Sequence, residues 1–171
     1  PPKCTQFGIT LIFDEVVTGF RVHFGGAQHL AGVRPDLTCL GKIIGGGLPC
    51  GAVVGSPEVM EYGRTSGDPF RDVEERAFVG GTMSGNSLTT AAGRAVLTHL
   101  RDHPAIYAEL DEKTRWLVAA MTASTKELGI ASKIKGSHSM FNTSFDYASP
   151  KLVRDKVAGT NIKATIALGY Y

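Results

Sequence analysis

Along the chain, apolar and polar positions fall into short runs at first and into a long helical stripe later. Ile9-Thr10-Leu11-Ile12-Phe13 is apolar nearly throughout, the profile of a strand buried on both faces as in a parallel sheet. It ends at Asp14-Glu15, and acidic residues at a strand's carboxyl end lie where open α/β sheets place ligands. Leu37-Thr38-Cys39-Leu40 predicts a second strand, launched from the turn signal Arg34-Pro35-Asp36, and Ala52-Val53-Val54 a third. Ser56-Pro57-Glu58 then starts a short helix, with Ser as N-cap and Pro at the first helical position, that ends at Gly63. Residues 64–79 are polar and charged and read as an exposed loop. Gly80 to Asn86 is a glycine-rich turn, and Asn86 can cap an alanine-rich helix running to about Leu100. After Pro104, the apolar positions Ile106, Leu110, Leu117, Met121 and Leu128 recur at helical spacing until Gly129, with charged residues on the other faces. Met140 to Phe145 alternates weakly, as a strand would. The change of character around residues 101–130 places a domain boundary there, dividing the chain into 1–100 and 101–171.

Composition narrows the class without naming a function. The 171 residues are 43% hydrophobic and 20% charged, which fits a soluble globular protein and excludes disorder, collagen and coiled coil. No apolar run reaches the roughly 18 residues of a membrane span. Eighteen Lys and Arg against 16 Asp and Glu leave a net charge of +2, too small and too scattered for a nucleic-acid footprint. Glycine is the outlier at 21 of 171, against a usual ~7%. Much of it lies in the first half, where backbone is expected to approach something closely. Pro1-Pro2-Lys3-Cys4 carries no signal-peptide pattern, and both termini read as internal to a longer chain. Cys4, Cys39 and Cys50 have neither zinc nor redox spacing, so a reduced, cytoplasmic setting is expected.

Candidate chemistry gathers at a few positions. Lys42 follows a buried-type strand and precedes Ile43-Ile44 and three glycines, so its stem leaves from an apolar place. A lysine there is partly desolvated, and its amine becomes available for Schiff-base formation. A phosphate loop is excluded, because Asp36 stands where its first Gly would be and Ile43 where its Ser or Thr would be. Asp14 is either a carboxylate capping a turn or a fixed anion that holds a pyridine nitrogen protonated, the electron-sink arrangement of a pyridoxal cofactor. The two need neighbouring strand ends, and the interval between them accommodates one crossover. Val16 could lie against a ring face or pack in the core. Thr82, in Gly80-Gly81-Thr82-Met83-Ser84-Gly85-Asn86, precedes a helix and suits either a phosphate or a plain N-cap. His23, His29, His99, His103 and His138 show no metal pattern, and no metal site is expected.

These residues carry a resemblance. Leu11-Ile12-Phe13-Asp14-Glu15-Val16-Val17-Thr18-Gly19-Phe20-Arg21 resembles the aspartate motif of class III pyridoxal-phosphate aminotransferases. So do Gly25-Gly26-Ala27-Gln28 and the stretch from Pro35 through Gly41-Lys42 to Pro49, while Gly81 to Asn86 resembles the family's phosphate-binding turn. The match runs from about residue 8 to residue 100, and within the family it is closest to glutamate-1-semialdehyde 2,1-aminomutase-like members. The resemblance implies an α/β fold. Residues 1–100 would be the C-terminal half of the large domain of a type I, aspartate-aminotransferase-like transferase. Residues 101–171 would be a connecting long helix and the start of the small C-terminal α+β domain. It also implies pyridoxal 5'-phosphate as cofactor. Lys42 would form the internal aldimine and shuttle the proton, Asp14 would hold the ring nitrogen, and Val16 would pack on the ring. Thr82 would bind the phosphate across a homodimer with a shared active site. The implied activity is amino-group transfer on a small amino acid or amino-aldehyde, or the intramolecular aminomutase version of it, with no nucleic acid or membrane involved. The family's chains are more than twice this length, so this stretch by itself is expected to be inactive. A non-catalytic relic that keeps the fold is the alternative from another class.

Overall fold

The computed structural model describes residues 2–78 and 80–145. The apolar ending Ile166 to Tyr171, and the part of the expected small domain beyond residue 145, lie outside the described residues. The chain divides between Pro104 and Ala105 into two compact units.

In the first unit, α1 (Pro2–Gln6) leads into β1 (Ile12–Glu15), and α2 (Gly26–Ala31) connects it to β2 (Leu37–Gly41). A 3-10 turn over Lys42–Gly45 and β3 (Gly51–Gly55) follow, then α3 (Pro57–Met60) with a 3-10 extension to Gly63. α4 (Pro69–Glu75) and α5 (Ser87–Asp102) complete the unit. The sheet order is β1-β2-β3, with β1 and β2 parallel and β3 antiparallel to β2. Parallel pairing requires a crossover, which α2 supplies. The register sets Ile12 against Leu37 and Glu15 against Leu40. Asp36 locks it from below, its carboxylate accepting the Leu11 N–H at 2.7 Å and its own N–H donating to the Leu11 carbonyl at 2.9 Å.

Two expectations are corrected here. β1 begins at Ile12 rather than Ile9 and is not buried on both faces, since Ile12 is 55% exposed. It lies at an edge of the sheet, and the described residues leave much of its surface uncovered. The stretch 64–79, expected as an exposed loop, is mostly exposed over its described residues, 64–78, but contains α4. Asp68 is its N-cap, accepting from the N–H groups of Phe70 (2.9 Å) and Arg71 (3.4 Å), and Pro69 opens the helix. Those are ordinary helix-start signals that the surrounding charges obscured.

Asp72 gathers this segment. Its carboxylate accepts from the Thr65 hydroxyl, from the Ser66 N–H (2.7 Å) and from the Ser66 hydroxyl (2.6 Å), and it faces Arg76 at 3.7 Å.

The second unit is built on α6 (Ile106–Glu127), packed against the hairpin β4 (Ser132–Ser137) and β5 (Met140–Phe145). The expected stripe on α6 is half-buried from Ile106 to Met121, with Thr114 buried among it and its hydroxyl donating to the Leu110 carbonyl at 2.8 Å. Leu128, expected in the stripe, is 73% exposed just past the helix. β4 escaped the sequence reading because Ser132-Lys133-Ile134-Lys135 carries a single large apolar side chain. The hairpin turns on His138 and Ser139, both at positive φ (49° and 67°), as a two-residue loop of the primed type needs. The His138 N–H donates to Asp111 of α6 at 2.8 Å.

The Asp72 cluster carries a pH signature. Hydrogen bonds from Ser66 and Thr65, with Arg76 adding to them, hold the Asp72 carboxyl below its ordinary value of 3.8, at about 2. A depressed carboxylate stabilises the fold fully above the unfolded value and loses that contribution as pH falls through the folded one. Proteolysis of the 64–76 segment is therefore expected to accelerate between pH 4 and 2, and Asp72→Asn to abolish that step; an Asp72→Asn profile identical to wild type would refute the role.

Candidate active site

β1 and β2 run in the same direction, so their carboxyl ends open at one edge of the sheet. Asp14 pairs with Cys39 across the ladder, and Lys42 follows β2 directly, in the 3-10 turn beyond Gly41. Side chains alternate along a strand, so Asp14 and Glu15 project to opposite faces. Val16, one step past β1, turns back to Asp14, its N–H donating to Oδ1 at 3.1 Å. Val16 also packs on Gly41, since a Cβ placed there would lie 3.1 Å from its Cγ1. Asp14 and Lys42 thus stand at the ends of neighbouring strands, with Val16 bonded to Asp14 and packed on the glycine that precedes Lys42.

Lys42 adopts φ 50°, a left-handed conformation that costs a non-glycine residue about 1–2 kcal/mol. Such a conformation persists where its surroundings over-determine it, and it clusters at functional sites. Here the surroundings are backbone. Gly46, at φ 61°, closes the turn through its N–H to the Ile43 carbonyl at 3.0 Å. A Cβ on Gly46 would lie 2.5 Å from the Ala92 carbonyl carbon, and one on Gly93 would lie 2.1 Å from the Ile44 carbonyl oxygen. α5 and the lysine turn therefore touch main chain to main chain. Ile43 and Ile44 are half-buried, but the Lys42 side chain is exposed. The desolvation expected for its amine is not supplied by the described residues.

Thr82 is exposed in the turn before α5, where the Ser84 N–H donates to the Gly81 carbonyl at 2.9 Å. Asn86 caps α5 as expected, Oδ1 accepting from the Thr89 N–H at 3.1 Å. The helix whose middle seats the lysine turn therefore starts at the threonine turn.

Glu15 carried no role in the sequence reading, which gave the strand-end acidity to Asp14. It is 1% exposed. Oε2 accepts from the Ala27 N–H (2.7 Å) and the Thr18 hydroxyl (2.9 Å), and Oε1 from the Gln28 N–H (2.8 Å). A Cβ on Gly26 would fall 2.2 Å from Oε2. The signal that could have found it is a glutamate ending an apolar strand, a threonine three residues on, and a glycine pair at the next helix start. Beside it, His23 stacks on His29 (3.9 Å between centroids) and its Nδ1 accepts the Gly25 N–H at 2.9 Å. Burial, and then the neighbouring His29, push the His23 pKa below its usual value. Among the described residues, no three His, Cys, Asp or Glu side chains are grouped to hold a metal, and no helix is long and apolar enough to cross a membrane.

Residues 3–164 match the family profile described as Aminotransferase class-III. The chain belongs to the class III aminotransferase family. A glutamate-1-semialdehyde 2,1-aminomutase of Heliobacterium modesticaldum is 41% identical over 97% of this chain and 37% of its own length. Among solved structures, an omega-transaminase from Sphaerobacter thermophilus superposes at TM-score 0.78 with 36% identity, over 97% of this chain and 35% of that one. The FumI protein of Sphingopyxis sp. MTA144, solved in its PLP internal aldimine form, superposes at 0.68 with 29% identity, over 84% and 32% of the two chains. The α/β fold expected from the sequence is that of these enzymes. This class III chain spans between 25% and 37% of the length of the first curated relatives it matches.

The main-chain contact between α5 and the lysine turn has a direct consequence. Gly93→Ala is expected to lower stability by about 1–3 kcal/mol in urea denaturation, because a backbone oxygen cannot yield to the new methyl group; an unchanged midpoint would show that α5 slides freely.

Proposed function

We propose that the protein carrying this chain is a pyridoxal-phosphate enzyme that transfers an amino group to or from a small amino acid, keto acid or aldehyde. One observation carries the reading: a carboxylate and a left-handed lysine stand at the carboxyl ends of adjacent parallel strands, linked through Val16 and Gly41. The donor set fits the cofactor. Lys42 offers a primary amine, Asp14 an anion and Val16 an apolar side chain, which the missing side chain of Gly41 lets approach the lysine turn. Bound there, pyridoxal phosphate supplies an electron sink for the substrate's bonding electrons. The Nζ of Lys42 would anchor the cofactor and carry the substrate's proton. Asp14 would hold a proton on the ring nitrogen, Val16 would pack on the ring, and the Thr82 hydroxyl would hold the phosphate from the second subunit of a homodimer.

Family membership and the transaminases among the solved neighbours support intermolecular transfer. The aminomutase names of the curated relatives favour, as the second reading, the same chemistry run within one molecule. Residues 1–100 are then the C-terminal half of the cofactor-binding large domain, and 101–171 the connecting helix and the start of the small domain. Free Cys4, Cys39 and Cys50 accord with a reducing cytoplasm.

The test is borohydride reduction of the complete gene product with pyridoxal phosphate, followed by peptide mass mapping. A pyridoxyl adduct on the Lys42 peptide is expected, together with loss of turnover in Lys42→Ala; an unlabelled Lys42 would favour the non-catalytic relic. Asp14→Asn is expected to keep the adduct while slowing turnover by orders of magnitude, and Thr82→Ala to weaken cofactor retention. Wild-type rates in the first, or wild-type retention in the second, would remove that residue from the site.

A further inference from the structure

We infer that Glu15 is a positioning residue, holding Asp14 and Val16 in the orientation that the cofactor requires; this rests on the reading of the preceding subsection. Glu15 lies between them in sequence and points to the opposite face of β1. Its main chain is held as well as its side chain, for the Glu15 carbonyl accepts the Gly19 N–H at 2.8 Å. With both ends of the residue tied, the end of β1 cannot rotate, and a rotation there would swing Asp14 and Val16 together away from Gly41 and Lys42.

The geometry asks for a carboxylate in particular. Each oxygen receives a backbone N–H, Oε2 from Ala27 and Oε1 from Gln28. A glutamine has one acceptor, so its NH2 would face one of those N–H groups, donor against donor. A buried donor left unpaired is costly, and the strain is relieved by moving either α2 or the end of β1. Thr18 adds a third donor to Oε2, and losing it leaves both backbone donors satisfied. The two substitutions therefore grade the same perturbation.

In the complete protein, Glu15→Gln is compared with wild type by three measurements. These are the pyridoxal phosphate concentration that half-saturates the apoprotein, the pH titration of the bound cofactor's visible absorbance, and thermal unfolding of the apoprotein. The half-saturating concentration is expected to rise about tenfold or more, and the absorbance titration to move because the ring nitrogen loses its aligned anion. A lowered unfolding temperature with wild-type affinity and an unmoved titration would overturn the inference, leaving Glu15 a structural anchor only. Should Glu15→Gln fail to fold, Thr18→Val decides, with about a threefold rise and a shift in the same direction expected. Wild-type values in Thr18→Val would then overturn it. Wild-type protein that takes up no cofactor would overturn the cofactor reading and this inference with it. Normal wild-type uptake beside an unaffected Glu15→Gln would overturn this inference alone.

Discussion

Burying a carboxylate is unfavourable unless donors on both oxygens replace the water they lose. Glu15 meets that condition with two backbone N–H groups and a hydroxyl, and the local fold is arranged around doing so. The N–H groups are free because they open α2, where no carbonyl of the preceding turn exists to accept them. The positive end of the short helix adds to the attraction. Residue 26 must be glycine, both for its φ of 70° and because a side chain would occupy the carboxylate's place. The crossover from β1 to β2 is in this way fastened at its start, and the register that follows sets Asp14 beside Cys39, close to the turn that carries Lys42.

The second constraint is the contact between the lysine turn and α5. Ordinary helix packing separates axes by the bulk of side chains, whereas here Gly46, Ala92 and Gly93 remove that bulk and let backbones meet. A contact of this kind tolerates little displacement, which is how a turn with a left-handed lysine can be held in place. In the first half of the chain, Gly26, Gly41 and Gly46 serve close approaches, whereas Gly8, Gly32, Gly47, Gly67 and Gly85 have open space where a Cβ would lie.

The second unit follows more familiar rules. An amphipathic helix covers one face of a two-stranded hairpin, and the hairpin's turn is tied back to the helix by the bond from the His138 N–H to Asp111. Gly136 of β4 adds one close approach, since a Cβ there would lie 2.8 Å from the Met140 carbonyl oxygen and 2.9 Å from Val118 Cγ2.

Much of this was legible in the chain. β2, α5 and α6, to within a few residues at their ends, and the Asn86 cap followed from local signals, while the interval from Asp14 to Lys42 left room for the crossover between their strands. Periodicity, capping residues and strand-end acids act over a few residues and need no partner to be read. The family likeness followed from motif order. What escaped shares one physical character, dependence on groups distant in sequence. Glu15 looked like half of an acidic pair until Ala27 and Gln28 came to it across a crossover. The exposure of β1 and of the Lys42 amine depended on what else covers them. The helix α4 was hidden among charges that Asp72 organises through Thr65 and Ser66, and β4 exists because β5 and α6 accept it. Local sequence determined which elements form and which residues carry chemistry. Tertiary structure alone decided how they are oriented, because orientation is fixed by contacts whose partners are far apart along the chain.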